Sequence, residues 1–167
     1  MNPKAILFSV FVFVLIGCAA QERVITPLPP FPEGVSGARW GASIDAVKES
    51  VGADGQRWFQ EDTGKPPYAG YASGTYLNAP AIFSYFFTPK SKRLFRVDVT
   101  FSDPKIYEAA RASLIQRFKT PTFSQTDKDL WTWEDNSLII FQRDSKTVQI
   151  SYSTGPFLKL NYQEGAG

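Results

Sequence analysis

The stretch 94–101 constrains the fold most. Phe95, Val97, Val99 and Phe101 alternate with Arg96, Asp98 and Thr100. Successive side chains of a strand point to opposite faces, so the run predicts a β-strand with one buried face and one polar face. Such a strand needs partners. Tyr68–Leu77 and Ala81–Thr88 supply them, with residues 89–93 as the turn into 94–101. Further along, Leu130–Glu134, Leu138–Gln142, Thr147–Ser153 and Phe157–Tyr162 read as strands, joined by turns at Asp135-Asn136 and 144–146. Residues 53–67 are polar and rich in Gly and Pro, and read as a loop or irregular strand in which Trp58 and Phe59 are the apolar exceptions.

Two helices are predicted. In the first, Ser43 is the N-cap, Asp45 lies in the first turn, and Ile44, Val47 and Val51 share a face before Gly52. In the second, Asp103-Pro104 marks the start. Tyr107, Ala110, Leu114 and Phe118 share a face, Arg111 and Gln116 lie off it, and Pro121 blocks continuation. Hairpin-length connections favour antiparallel pairing. The expected fold is therefore α+β: one antiparallel sheet with two helices packed on one face, spanning 37–163 as a single domain. The order helix, strands, helix, strands also suits a duplicated helix-plus-β-meander unit.

The first residues are of another kind. Lys4 is followed by a run, Ala5–Ile16, that is apolar except for Ser9. It is too short to span a bilayer and suits the apolar region of a signal peptide. It ends in Leu15, Ile16, Gly17 and Cys18, which resembles the lipobox of bacterial lipoproteins. The resemblance implies cleavage after residue 17, a diacylglycerol on Cys18, and acyl chains such as palmitate as the membrane anchor. Two acyl chains suffice for stable attachment. Ala19 stands where Asp would favour inner-membrane retention in enterobacterial lipoproteins. By that resemblance the chain faces the periplasm from the outer membrane if its source is Gram-negative. Residues 18–36 then form a lipidated Cys and a tether, extended by Pro27, Pro29, Pro30 and Pro32. The alternative is an arm packed on the domain through Ile25, Leu28 and Phe31.

Removing residues 1–17 takes away Lys4 and lowers the net charge from +2 to +1. A near-neutral domain carries no electrostatic footprint for nucleic acid. Cys18 is the only cysteine, so the mature domain is held together by its core and not by disulfides.

The segment Trp40–Gly52 resembles the helix opening of small envelope lipoproteins of the SmpA/OmlA-like class, through Gly41, Ser43 and Val47. It is similar too to uncharacterised Trp-Gly-x-Ser lipoproteins. The class implies a helix followed by a β-meander and a non-enzymatic part in envelope assembly. This chain departs from it in having Ala53-Asp54 where the class has Pro after the glycine.

Chemistry is sparsely provided. No His is present, which excludes Ser-His and Cys-His nucleophiles and imidazole ligands. Asp62-Thr63-Gly64 has the letters of an aspartic-protease loop but no second copy to share a proton with. Ser102 and Lys105 fit a Ser-x-x-Lys spacing, which the helix start explains more simply. Asp127, Asp129, Glu134, Asp135 and Asp144 lack Ca²⁺-loop spacing and read as solvated turns. Lys90, Lys92 and Arg93 read as a charged turn, against the alternative of contact with anionic head groups. Trp131 and Trp133 face one side of a strand and, with Tyr85, Phe87, Phe95 or Tyr152, make either core or an aromatic binding surface. Trp40 and Trp58 read as packing plugs.

The expectation is a non-enzymatic, membrane-anchored envelope module that needs no cofactor and no metal, with an envelope protein as partner. The alternative is a small-ligand or glycan binder using an aromatic groove formed by Trp131, Trp133, Tyr85 and Tyr152.

Overall fold

The structure is a computed structural model and describes residues 27–165. The expected signal peptide, the lipobox-like residues 15–18, the first part of the expected tether and Ile25 lie outside the described residues. The fold is α+β, built on a large antiparallel sheet with a few helices.

A small hairpin opens it: β1 (Gly34–Val35) and β2 (Ala38–Arg39). Helix α1 (Ile44–Ala53) follows, capped by the Ser43 hydroxyl, which accepts from the Ala46 amide. Then come β3 (Arg57–Asp62), β4 (Tyr68–Tyr76), β5 (Ala79–Phe87) and β6 (Leu94–Phe101). A 3₁₀ turn at Pro104–Ile106, capped by Asp103, leads into α2 (Tyr107–Phe118). The chain continues through β7 (Phe123–Gln125), β8 (Lys128–Thr132), β9 (Leu138–Arg143) and β10 (Val148–Ser153) to α3 (Gly155–Gln163).

Strands β3 to β10 form one eight-stranded sheet in the order β3-β4-β5-β6-β10-β9-β8-β7. The centre is the antiparallel β6–β10 ladder, in which Val99 faces Ile150. One face carries Ala72, Phe83, Tyr85, Val97, Val99, Ile150, Phe141 and Trp131. These share a single core cluster with Val47 and Val51 of α1 and with Tyr107, Ala110, Leu114 and Phe118 of α2. The other face is polar at its centre, where Arg96 clamps Asp98 through two hydrogen bonds and Gln149 donates a third.

The structure departs from the sequence reading in several places. Residues 157–162 belong to a helix and not a strand, so among the described residues there are three α-helices rather than two. The start of α3, Thr154-Gly155-Pro156, is itself a helix signal because Pro lacks the N–H that a first turn leaves unpaired. Within 53–67 the irregular-strand alternative holds for residues 57–62, an edge strand kinked by a bulge between Trp58 and Gln60. In β6 the inward position falls to Leu94 and not Phe95, because the ladder slips at a bulge by Phe86/Phe87. β5 starts at Ala79 through a two-residue turn in which Leu77 and Asn78 both have positive φ, 48° and 62°. That is the twist-matched hairpin turn. β8 begins two residues early and leaves Trp133 just past its end.

One glycine matters to the core. A Cβ on Gly70 would collide with the Trp58 ring, which lies flat over that strand and stacks on Tyr85 at 5.7 Å.

Helix α3 closes the sheet end beside the β5–β6 turn. The Glu164 carboxylate accepts from the Lys90 and Ser91 amides at 2.7 and 2.9 Å. Desolvation pushes this carboxyl up, but hydrogen bonds from Ser91, Lys90 and Thr88 outweigh it and lower the pKa from 4.5 to about 2. A depressed folded pKa stabilises above the unfolded value, and the contribution is lost as pH falls through the folded one. The wild-type Tm should therefore fall as pH drops from 4.5 towards 2, and Glu164→Gln should flatten that segment of the curve. Equal slopes in the two proteins, followed by calorimetry, would remove Glu164 from the account.

Candidate functional site

The proposed aromatic surface does not form. Trp131, Tyr85 and Tyr152 are buried in the core between sheet and helices. The Trp131 indole donates to the Lys119 carbonyl at 3.0 Å, tying β8 to the end of α2. The Tyr85 hydroxyl donates to Gln56 Oε1 at 2.7 Å, and the hydroxyls of Tyr76 and Tyr152 lie 2.8 Å apart. Burial pushes the Tyr85 and Tyr152 phenols well up, so both stay neutral and serve packing. Of the four, only Trp133 reaches the surface region, and it is covered by the proline-rich segment.

That segment is a packed arm from Pro27 onward, not a free tether. The Trp133 indole donates to the Pro29 carbonyl at 2.7 Å, and the Trp40 indole donates to the Pro32 carbonyl at 2.6 Å. Phe31 lies between them, stacked on Trp40 at 5.8 Å and edge-on to Trp133 at 4.9 Å. Trp40 is thus part of a groove and more than a plug. The folded body accordingly begins before residue 37. Composition marked the prolines as extended, but the docking depends on an indole 104 residues away.

The acidic residues go to separate structural tasks. Asp129 is buried and accepts from Arg111 and Ser124. Asp127 pairs with Arg143, whose guanidinium lies 4.0 Å from the Tyr107 ring centre. Asp135 and Asp144 cap their own turns. The amides of Lys146 and Thr147 hold the Asp144 carboxyl below the usual range. Among the described residues no group of three or more His, Cys, Asp or Glu is placed to hold a metal. Asp62 lies within 3.5 Å of the Tyr71 hydroxyl on the exposed edge, and Asp103 caps the 3₁₀ turn that contains Lys105. In the 89–93 turn, Lys92 lies over Tyr68 and Arg93 donates to the Gly41 carbonyl.

A cleft of about 690 Å³ opens at the far end of the sheet from the arm. Its position follows from the register. The arm meets the sheet beyond Thr132↔Leu138, whereas the cleft lies beside Phe101↔Val148. The β4–β5 hairpin gives it Gly74, Ala79 and Ala81, small residues that leave the space open. Phe101, Ile106 and Ala109 wall it on the α2 side, while Ser73, Thr100 and Ser102 bring hydroxyls and Asp103 and Lys105 bring charge. Apolar walls with a few polar groups are the usual make-up of a small-molecule site, and this volume falls in the usual range.

No family model, curated protein or solved structure matches the chain. The cleft and the arm groove therefore stand on their own geometry. The sequence reading missed the cleft because its floor is made of small residues, which carry no chemical signature. The one available signal was Gly74 and Ala79–Ala81 flanking a tight turn inside an otherwise aromatic sheet. Among the described residues no helix is long and apolar enough to cross a membrane.

Proposed function

We propose that the chain is an exported, lipid-anchored, non-catalytic binding protein. Its domain takes a small, largely apolar ligand in the cleft between the β4–β5 hairpin and the start of α2. The cleft itself carries this reading: ligand-sized, apolar-walled, with three hydroxyls to orient a polar group. It offers no aromatic platform of the kind a glycan would stack on, since Phe101 is the single aromatic in its lining. Lipid on Cys18 remains the proposed anchor, through Leu15, Ile16, Gly17 and Cys18. The absence of His and the separate pairing of the carboxylates support a role without catalysis.

A second reading is an interaction or assembly module for another envelope protein. The open sheet face supports it, with Ile82 exposed there and Phe59 and Phe123 about half exposed at the two edges, 49% and 48%. We also read the two halves as copies of one unit. Each runs helix then four-strand meander, and the strand order mirrors itself about the β6–β10 ladder.

Native mass spectrometry of the protein, extracted gently from its own membrane, tests both. The ligand reading expects a bound small molecule that is lost in Ala109→Trp, where an exposed cleft residue becomes large enough to fill the space. The anchor expects a diacylglyceryl mass on the wild type that is lost in Cys18→Ser. A protein partner retained by Ala109→Trp, with no small molecule in either sample, would move the interaction reading to first place. Lipid label persisting in Cys18→Ser would sink the anchor.

A further inference from the structure

We propose that the groove between Trp40 and Trp133 is a recognition site for proline-rich extended segments, occupied in cis by residues 27–32. It is distinct from the cleft and lies at the other end of the sheet, so it does not depend on the ligand reading. Three observations carry it.

The first is the pattern of hydrogen bonds. Two indole N–H groups donate to the carbonyls of Pro29 and Pro32, at 2.7 and 2.6 Å. Those carbonyls are three residues apart, the repeat of a polyproline II helix, and so fall on one side of it. Aromatic-lined grooves with fixed donors are the usual way such segments are read, because the segment is already extended and loses little entropy on docking.

The second is that the groove is walled by residues outside 27–32, although Trp40 stays tied to the arm's end through its amide N–H, which donates to the Glu33 carbonyl at 3.2 Å. Trp40 comes from the segment before α1, and Trp133 follows β8. Phe118 at the end of α2 packs edge-on against Trp133 at 5.9 Å. With the arm lifted, both donors lose their acceptors and the seat of Phe31 opens. A vacated groove therefore still calls for two carbonyls three residues apart and an apolar side chain between them.

The third is the room beyond. A cleft of about 460 Å³ adjoins the arm, lined by Pro27, Leu28, Phe31 and Trp133 and by Thr122, Thr132, Glu134 and Asp135. The two carboxylates favour a Lys or Arg on that side of a bound segment. The occupant in trans is thus a proline-rich segment of another polypeptide, with an apolar residue between two spaced carbonyls and a basic residue before them. A segment on its own chain competes at an effective concentration of roughly millimolar, so the groove is self-occupied until the arm is weakened or outcompeted.

The test uses the full processed chain in detergent and a synthetic peptide of residues 25–34. Titration is followed by calorimetry and by the indole N–H signals of Trp40 and Trp133. Phe31→Ala weakens the arm and leaves the groove intact, and Pro29→Gly/Pro32→Gly is the second arm variant should the first fail to fold. The expected result is saturable binding to the arm variant, at least ~10-fold tighter than to the wild type, with both indole signals moving. A peptide whose Phe is replaced by Ala should bind ~10-fold more weakly, the size expected for lost aromatic contacts. Trp133→Phe in the arm-variant background should weaken binding too. No saturation by millimolar peptide in a variant with wild-type circular dichroism overturns the proposal, as does equal binding of the Phe→Ala peptide. Binding that leaves the two indole signals unmoved overturns it as well.

Discussion

Trp131→Ala should lower the unfolding free energy by about 4 kcal/mol, the range for truncating a large buried aromatic. Trp131 is fully buried and sits opposite Ile139 on the inner face of the sheet. Truncation opens a void under α2 that rigid strands cannot collapse to fill. It also strips the Lys119 carbonyl, at the C-cap of α2, of its indole donor. The two effects separate in Trp131→Phe, which keeps most of the ring volume and loses the hydrogen bond, at about 1 kcal/mol. Urea unfolding of the three proteins, with m-values compared, checks this. A loss for the alanine variant no larger than for the phenylalanine one would mean that the site relaxes.

The second large effect is Arg111→Ala, at about 3 kcal/mol. The argument lies in the asymmetry of the pair. The Asp129 side chain is 0% exposed, while that of Arg111 is 35% exposed, and they meet at 2.6 Å. Removing the arginine leaves a buried carboxylate with only the Ser124 hydroxyl to answer it. Removing the charge on the aspartate leaves an arginine that can turn to water. Asp129→Asn should therefore cost less, about 1–2 kcal/mol. The double change Arg111→Met/Asp129→Leu should recover much of the loss, since a buried pair stabilises little against well-packed apolar side chains. Denaturant midpoints decide the order, and a larger loss for Asp129→Asn than for Arg111→Ala would refute the asymmetry.

What was legible in the sequence follows from period. The alternation of Val97, Val99 and Phe101 predicted β6 as a strand with one buried face, and the i, i+3, i+7 spacing of Tyr107, Ala110 and Leu114 predicted the buried face of α2. Where period was interrupted, reading from the sequence failed. Phe95 obeys the alternation by letter, yet a bulge in the neighbouring pairing passes its place to Leu94. Phe157–Tyr162 is too short for its apolar residues to distinguish 2.0 from 3.6 residues per repeat, and its capping signal lay in Thr154-Gly155-Pro156. The site was less legible still. Trp131 and Trp133 do face one way, but the sequence holds no sign that α2 covers one and the arm the other. The arm needed Trp40, ahead of α1, and Trp133, just past β8, brought to one place around Phe31, which is a property of topology and not of local sequence.

The mirrored strand order bears on how the chain finds its fold. Among the described residues every strand pairing but one joins neighbours in sequence, such as β4 with β5 or β8 with β9. Only β6 with β10 closes a long loop, from Phe101↔Val148 at its near end to Arg96↔Ser153 at its far end. Local hairpins form in microseconds, while long loop closure is entropically slower. Each meander can therefore gather its strands by itself, and the late event is one seam of two strands zipping together. Until that seam closes, β6 and β10 are unpaired edges whose inner side chains, Val97, Val99 and Phe101 on one and Val148 and Ile150 on the other, are apolar. The centre of the finished molecule is thus an aggregation-prone edge of the unfinished one.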